Sequence, residues 1–227
     1  MITQLFLKTS LLLIFTSSSL ASTDSSLLPM YGGEDRKNNV ELLKKDNEFI
    51  VKSTRSFSSR EHAAEGYVER GFEMYSQNKF DKAMQRFNQA WLLNPDNAYI
   101  YLGYGLLYNN KKNSCMAVAM FTQAQKKGLN ESGFLSDYAY TITNCALTKE
   151  KQLQKELFND ANDLHKQSSQ SPNKSLQAYA YHLWAKSYYL QNDISNSQKM
   201  LEQSKNLGGK TDVQLEQSLK ESLMEPK

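Results

Sequence analysis

A pattern that repeats every 34 residues constrains the fold of this 227-residue chain more than any other feature. The first copy places small residues, aromatic residues and a proline at six positions: Tyr67, Gly71, Ala83, Phe87, Ala90 and Pro95. The positions 34 residues further on hold Tyr101, Gly105, Ala117, Phe121, Ala124 and Leu129, so five of the six pairs are identical. A fixed period of this length indicates a supersecondary unit whose stacked copies bury one continuous core.

The small residues of the pattern predict where two helices cross. Gly71 and Ala83 allow two backbones to approach closely, and Phe87 fills the space beside them. We therefore expect Gly71 to face Ala83, and Gly105 to face Ala117 in the second copy. One helical pair cannot cover its own apolar surface, so several units and a terminal cap are required.

Turn residues divide each copy into two helices and carry a family resemblance. Residues 78–81 close a first helix and open a second, and residues 94–97, which include a proline, end the unit. Together with the period, this pattern resembles the tetratricopeptide repeat (TPR), a helix–turn–helix unit. The resemblance implies an all-α fold, a right-handed α-solenoid of antiparallel helix pairs. Segments 28–33 and 86–95 also resemble secreted bacterial envelope TPR proteins to which no activity is assigned.

The pattern further predicts how the chain is organised. A TPR-like domain covers residues 58–224, preceded in residues 22–57 by a serine-rich arm and one extra helix. The arm, residues 22–33, is expected to be flexible or loosely docked. The third unit is degenerate, which an insertion near residues 148–155 would explain. The predicted units are residues 64–97, 98–131, 132–170 and 178–211, followed by a capping helix at 211–224.

Residues 1–21 are predicted to be a secretory signal peptide. Lys8 precedes an apolar run at residues 11–15, and Ser19 and Ala21 are small residues at the positions that signal peptidase reads. The run is too short to span a bilayer, and no later segment has 18 consecutive apolar residues. We therefore expect a secreted protein without stable membrane insertion, located in the bacterial periplasm.

Composition excludes several classes of function. The formal net charge of +3 gives no basic surface of the kind that binds nucleic acid. Three histidines and two cysteines cannot build a Cys-rich zinc module, and the sequence contains no catalytic, metal-binding or cofactor-binding motif. Neither Asp160 nor Asp163 shares a helical face with His165, which disfavours shared metal ligation, and His165 is expected on the surface. The chain is therefore not expected to be an enzyme.

Cys115 and Cys145 allow three interpretations. A disulfide is expected in an oxidising compartment. The stacking also supports it, because the start of one second helix meets the end of the next first helix. A redox-active dithiol is the second interpretation, although no Cys-x-x-Cys spacing or flanking cation supports it. Two buried thiols that never meet are the third.

The TPR resemblance implies that the first helix of each unit lines a concave groove, which binds extended peptides or partner helices. Tyrosine suits such a groove because it combines a large contact area with a hydroxyl group. The candidate binding residues are those pointing away from the second helices: Phe72, Tyr75, Tyr99, Leu102, Asn109, Asp137, Tyr140, Tyr179, His182 and Lys186.

These residues predict a secreted scaffold that holds a protein or peptide partner of unknown identity in its groove. One alternative is a thiol redox factor, or another envelope enzyme, that uses Cys115 and Cys145. Another is a self-assembling or structural subunit of an envelope complex, which is compatible with a homo-oligomer.

Overall fold

Ten α-helices form most of residues 24–224, the part of the chain that the computed structural model describes. The predicted signal peptide, residues 1–21, lies outside the described residues. In chain order the helices are α1 (Val40–Thr54), α2 (Arg60–Ser76), α3 (Phe80–Leu93), α4 (Ala98–Asn110), α5 (Ser114–Lys126), α6 (Ser132–Ala146), α7 (Lys151–Ser168), α8 (Lys174–Leu190), α9 (Ile194–Asn206) and α10 (Val213–Met224). Residues 24–224 contain no β-strand, so the predicted all-α class is confirmed.

Consecutive helices pack in pairs. The pairs are α2 with α3, α4 with α5, α6 with α7 and α8 with α9. The second helix of each pair also contacts the first helix of the next pair, and α6 packs directly against α8. Helix α1 contacts α2 and α3, whereas α10 contacts α9. The predicted stack of helix pairs is therefore confirmed.

Three turns within the pairs share one backbone geometry. Asn78, Lys112 and Asn192 each have a positive φ, of 58°, 57° and 61°. The next residue donates its backbone N–H to a carbonyl five residues back, as from Asn113 to Tyr108 at 2.9 Å. This bond is the Schellman motif, which satisfies a carbonyl left unpaired at the end of a helix. The positions Asn78 and Lys112 are 34 residues apart, so the sequence period reappears as a repeated turn.

The third pair departs from this geometry. The turn from α6 to α7, residues 147–150, is one residue longer than the turns at 77–79 and 111–113, and none of its residues has a positive φ. Helix α7 has 18 residues, whereas α3 has 14 and α5 has 13. A longer turn and a longer helix together account for the lost period.

Glycines make room for aromatic rings at the helix crossings. A Cβ atom added to Gly71 on α2, or to Gly103 on α4, would lie less than 3.0 Å from the ring of Phe87. Gly105 has the same relation to Phe121. The atoms nearest to each missing Cβ belong to a phenyl ring, so Phe87 fills the space beside Gly71 as the pattern predicts. The phenyl ring occupies the space that the missing Cβ atoms leave.

The apolar core of the described residues has two large clusters and a small third one, Ala63, Ala64 and Leu93, against which α1 packs. One cluster of buried side chains runs through α2 to α7, and a second joins α8, α9 and α10. Between them lie buried polar side chains, including Thr143 on α6, His165 on α7 and Ser187 on α8. The Ser187 hydroxyl accepts a hydrogen bond from Thr143 at 3.1 Å and lies 2.8 Å from His165 Nε2. The expectation that His165 lies on the surface is wrong, since its side chain is fully buried.

The described part of the arm is docked on α3. The amide of Asn88, which is fully buried, donates hydrogen bonds to the carbonyls of Ser26 and Leu28, both at 2.9 Å. The Tyr104 hydroxyl donates to Asn88 Oδ1 at 2.7 Å and accepts from the Met30 backbone at 3.3 Å. These bonds fix the arm to the second helix of the first pair. This arrangement is firmer than the loose docking expected from its composition.

The two ends of the array are closed by α1 and α10. Arg36 donates to both carboxylate oxygens of Asp46 on α1, at 2.8 and 2.6 Å. Leu215 and Leu219 of α10 are buried against α9. Val213, the first residue of α10, is exposed.

Candidate functional site

The first helices of the pairs, α2, α4, α6 and α8, form a surface that we call the helix A face. Its first cleft has a volume of about 690 Å³ and lies between α2 and the amino-terminal end of α4. The predicted residues Phe72 and Tyr99 line this cleft beside the carboxylates of Glu65, Glu69 and Glu131. The Tyr99 hydroxyl donates to Glu131 Oε1 at 3.1 Å, which orients the exposed ring.

The second cleft, of about 860 Å³, lies at the carboxyl-terminal ends of α4 and α6. The predicted residues Asn109 and Tyr140 line it, together with Lys111 and Lys112 of the turn after α4. Asn109 Nδ2 donates to Thr141 Oγ1 at 2.8 Å and so links the two helices. Predicted residues from two consecutive pairs therefore share one cleft.

The third cleft, of about 590 Å³, lies between α8 and the segment that leads into α10. Tyr179 and His182 line it. Asp212, which precedes α10, places Oδ2 3.4 Å from His182 Nε2 and 3.6 Å from Lys186 Nζ. The Lys186 ammonium also lies 5.9 Å from the centre of the Tyr140 ring, so it connects the second and third clefts.

Asp137 joins two first helices across the face. Its Oδ1 accepts a hydrogen bond from the Tyr179 hydroxyl, which links α6 to α8. Burial raises the pKa of Asp137, and the bond from Tyr179 opposes that rise. Burial also raises the pKa of Tyr179, and the charge of Asp137 adds to the effect. Burial, followed by the charge of Asp137, raises the pKa of Tyr75 on α2.

The third cleft holds a neutral histidine beside an ion pair. Burial lowers the pKa of His182; Asp212 opposes this and Lys186 adds to it. The backbone N–H of Leu215 donates to Asp212 Oδ1 at 3.0 Å and is the largest cause of the lowered pKa of Asp212. At neutral pH the carboxylate of Asp212 is therefore balanced by Lys186 and not by His182.

Two predicted residues take part mainly in packing. Tyr75 packs against Phe80, with ring centres 5.6 Å apart, and Leu102 is partly buried against the core. Neither lines one of the three clefts. Six of the ten predicted residues line the clefts. Asp137 and Lys186 lie beside them and contact the lining residues Tyr179 and Asp212, respectively.

The structure brings the two cysteines together. The sulfur atoms of Cys115 and Cys145 are 2.04 Å apart and the Cα atoms 4.8 Å apart, so the predicted pair lies at disulfide distance. Cys145 is buried at the end of α6, whereas Cys115 at the start of α5 is partly exposed and lines the second cleft. The bond joins the start of α5 to the end of α6 beside this cleft.

Charged residues of the connecting segments escaped the sequence prediction, among them Lys111, Lys112, Glu131 and Asp212. They lie in connecting segments, where helical register gives no direction to a side chain. Only the placement of two lysines directly after α4 signalled that charge would collect at that end of the helix A face.

Within residues 24–224, no group of three or more His, Cys, Asp or Glu side chains is arranged to hold a metal ion. No helix in this described part combines the length and the apolar character needed to cross a membrane. The clefts are lined by tyrosine, amide, lysine and carboxylate side chains.

Comparisons with known proteins agree with this architecture. The family model of the TPR repeat matches residues 71–111. No curated protein matches the sequence significantly. The chain is similar in structure to PilF of Pseudomonas aeruginosa, with a TM-score of 0.58 and 12% identity, over 72% of this chain and 69% of that one. It also matches YrrB, described as a TPR protein with an unusual peptide-binding site, with a TM-score of 0.35 and 16% identity, over 68% of this chain and 90% of YrrB.

At 12% identity, the likeness to PilF shows a shared fold and nothing about activity. The family match covers the end of α2, all of α3 and α4, and the first residue of the next turn. The 34-residue period extends the same unit through α5. Residues 71–111 thus match the TPR repeat, and the 34-residue period and the paired helices resemble a stack of such units.

Proposed function

We propose that the protein is a secreted, periplasmic scaffold that binds a protein or peptide partner on its helix A face, and that it is not an enzyme. The observation that carries this proposal is the exposure of aromatic side chains in the clefts. Tyr99 is 44% exposed and Tyr179 is 39% exposed, although both are large aromatic side chains. Solvent-accessible aromatic side chains of this kind provide most of the binding energy at many protein interfaces.

Hydrogen bonds hold both tyrosines in place before a partner arrives. Tyr99 is bonded to Glu131, and Tyr179 to Asp137. Side chains that are already oriented lose less conformational entropy when they are covered. The helix A face is therefore suited to binding with little rearrangement.

Two features support the proposed location. Residues 1–21 have the pattern of a signal peptide, and disulfides persist in oxidising compartments such as the periplasm. The burial of Cys145 disfavours the redox alternative, because a catalytic thiol must be reached by its substrate. The second alternative, a self-assembling subunit, would use the same surface, because a second copy of the chain would cover Tyr99 and Tyr179.

A pair of matched double variants tests the binding role. Tyr99→Ala/Tyr179→Ala removes two exposed side chains from the helix A face. Met116→Ala/Leu153→Ala removes two from second helices that are equally exposed, at 42% and 39%. We screen a displayed peptide library against the immobilised mature protein, then measure the affinity of selected peptides for each variant.

We expect the tyrosine variant to bind the selected peptides at least about tenfold more weakly, and the control variant to bind as the wild type does. Equal loss in both variants, or loss in neither, would exclude the helix A face as the binding surface. Intact-mass analysis of periplasmic extracts tests the location, where a chain beginning at Ser22 is expected.

A further inference from the structure

We infer that the second cleft receives an acidic segment of the partner, with carboxylates placed against Lys111 and Lys112. This inference rests on the proposed binding function and adds the chemistry of the bound segment. It is carried by the charges of the clefts, by the backbone of Lys112 and by the disulfide beside the cleft.

The second cleft collects positive charge without a counter-charge. Lys111 and Lys112 line it, and none of its lining residues is a carboxylate. Neither ammonium group lies within 4.0 Å of a carboxylate belonging to the described residues 24–224. Asn113, Ser114 and Asn144 add neutral hydrogen-bond donors to the same lining. A carboxylate is the chemical group that matches this set of donors and charges.

The first cleft has the opposite charge. Glu65, Glu69 and Glu131 line it, and its one lysine, Lys127, is already paired with Asp96 at 2.6 Å. The two clefts lie at opposite ends of α4, about 15 Å apart at a rise of 1.5 Å per residue. An acidic segment is therefore repelled at one end of the helix A face and attracted at the other, which fixes its position.

The backbone of Lys112 supports a role for its charge. Lys112 has a φ of 57°, in the left-handed region, and the matching positions in two other turns hold Asn78 and Asn192. Asparagine adopts this conformation at lower cost than lysine does. Lysine at position 112 therefore costs conformational energy that asparagine would avoid. This cost is understandable if the ammonium group serves binding.

The disulfide sets the width of the cleft. Cys115 lines the cleft at the start of α5, and its partner Cys145 lies on α6, one turn beyond Tyr140 and Thr141. The covalent bond holds the lysine-bearing turn close to α6. A site with a fixed width binds an extended segment with a smaller entropic cost than a mobile one.

The test uses three short fluorescein-labelled peptides that share a tyrosine-containing core and end in three glutamates, three glutamines or three lysines. Binding to the mature, oxidised protein is measured by fluorescence anisotropy at low and at high salt. The variant Lys111→Gln/Lys112→Asn neutralises the cleft. The control Lys44→Gln/Lys45→Gln neutralises an adjacent, exposed lysine pair on α1.

We expect the glutamate peptide to bind most tightly, to weaken with salt, and to lose about tenfold in affinity with the cleft variant but not with the control. We also expect Lys112→Asn alone to weaken this binding while leaving the melting temperature equal or higher, which rules out unfolding as the cause.

Failure to bind the glutamate peptide, equal affinity for all three peptides, or equal loss in both lysine variants would overturn the inference. If the glutamine peptide binds as tightly as the glutamate peptide, and the tyrosine double variant weakens both, the proposed binding function stands without its acidic specificity.

Discussion

At the scale of single residues, His165 is a core residue that the charged residues near it in the sequence made difficult to predict. Its ring is buried on α7 and stacks on Trp184, with ring centres 6.0 Å apart. Asp160 and Asp163 lie close to His165 in the sequence, and such charged neighbours suggest that this part of α7 is exposed. However, Ala161, His165 and Ser168 recur at spacings of four and three, which places them on one helical face, and all three are buried. This spacing was the signal that predicts the burial.

We expect the free energy of unfolding to fall as the pH decreases below about 6.5. Burial lowers the pKa of His165 from 6.5 to about 3. Between these two pH values the histidine is therefore protonated in the unfolded state and neutral in the folded state. The stability contributed by the neutral ring is complete above the unfolded pKa and is lost progressively as the pH falls towards 3. The loss at pH 5 is about 2 kcal/mol, measurable by urea denaturation at about pH 7.5 and pH 5.

The variant His165→Asn isolates this effect because it cannot titrate. It is less stable than the wild type at neutral pH, but its stability is expected to change about 2 kcal/mol less between the two pH values. His62→Asn, the same substitution at an exposed position, is the control. A His165→Asn protein with the wild-type pH dependence would show that His165 is not held neutral by burial.

At the scale of helices, two glycines give a matched pair of substitutions: Gly105, at the crossing of α4 and α5, and Gly133, at an open position on α6. A Cβ on Gly105 would lie less than 3.0 Å from the fully buried Phe121 ring, so Gly105→Ala should cost about 1–3 kcal/mol. A Cβ on Gly133 of α6 would lie 3.8 Å from the Leu176 side chain, which is an ordinary contact. Gly133→Ala should therefore be neutral or stabilise the protein by about 0.5 kcal/mol.

Thermal and urea denaturation of both glycine variants check this prediction. The two substitutions are chemically identical, so a difference between them reports on space around the Cβ atom. Similar stability changes in both variants would contradict the close approach of Gly105 to Phe121.

The helix pairs were predictable because each crossing needs small residues at a fixed spacing, and the period displays them twice. The place of Phe87 beside Gly71 was part of the predicted pattern. Its close approach to Gly103 of the next pair was not, because residue spacing does not specify how the ring is rotated into the gap. The third pair lacked the period because its turn and α7 are both longer.

At the scale of the whole molecule, helical register predicted much of the candidate site. Register fixes which side of a first helix faces away from its partner, and this placed residues such as Tyr99, Asn109 and Tyr179 at the clefts. It could not predict contributions from connecting segments. Asp212 reaches His182 and Lys186 only because the chain turns back after α9, a path that no periodic pattern describes.

The packing between neighbouring helix pairs changes from apolar to partly polar along the array. The period predicts a continuous apolar core, but the contact of α6 and α7 with α8 includes Thr143, His165 and Ser187, joined by hydrogen bonds. Hydrogen bonds between buried polar groups contribute less net stability than apolar burial of similar extent. Cys115 and Cys145 lie immediately before this polar interface, where they tie the second pair to the third.

We expect Cys115→Ser/Cys145→Ser to lower the free energy of unfolding by about 3–4 kcal/mol, because the bond closes a loop between residues 30 apart in the sequence. The two tryptophans, Trp91 on α3 and Trp184 on α8, report on opposite sides of the bond. In Trp91→Phe and Trp184→Phe backgrounds, the oxidised protein should show one shared urea midpoint, and the serine variant two separate midpoints, since stability in a repeat array depends on each interface.

Reductant should shift the wild-type midpoint and leave the serine variant unchanged. Two titratable thiols in the secreted protein, or a wild-type midpoint that reductant does not move, would exclude this role for the disulfide.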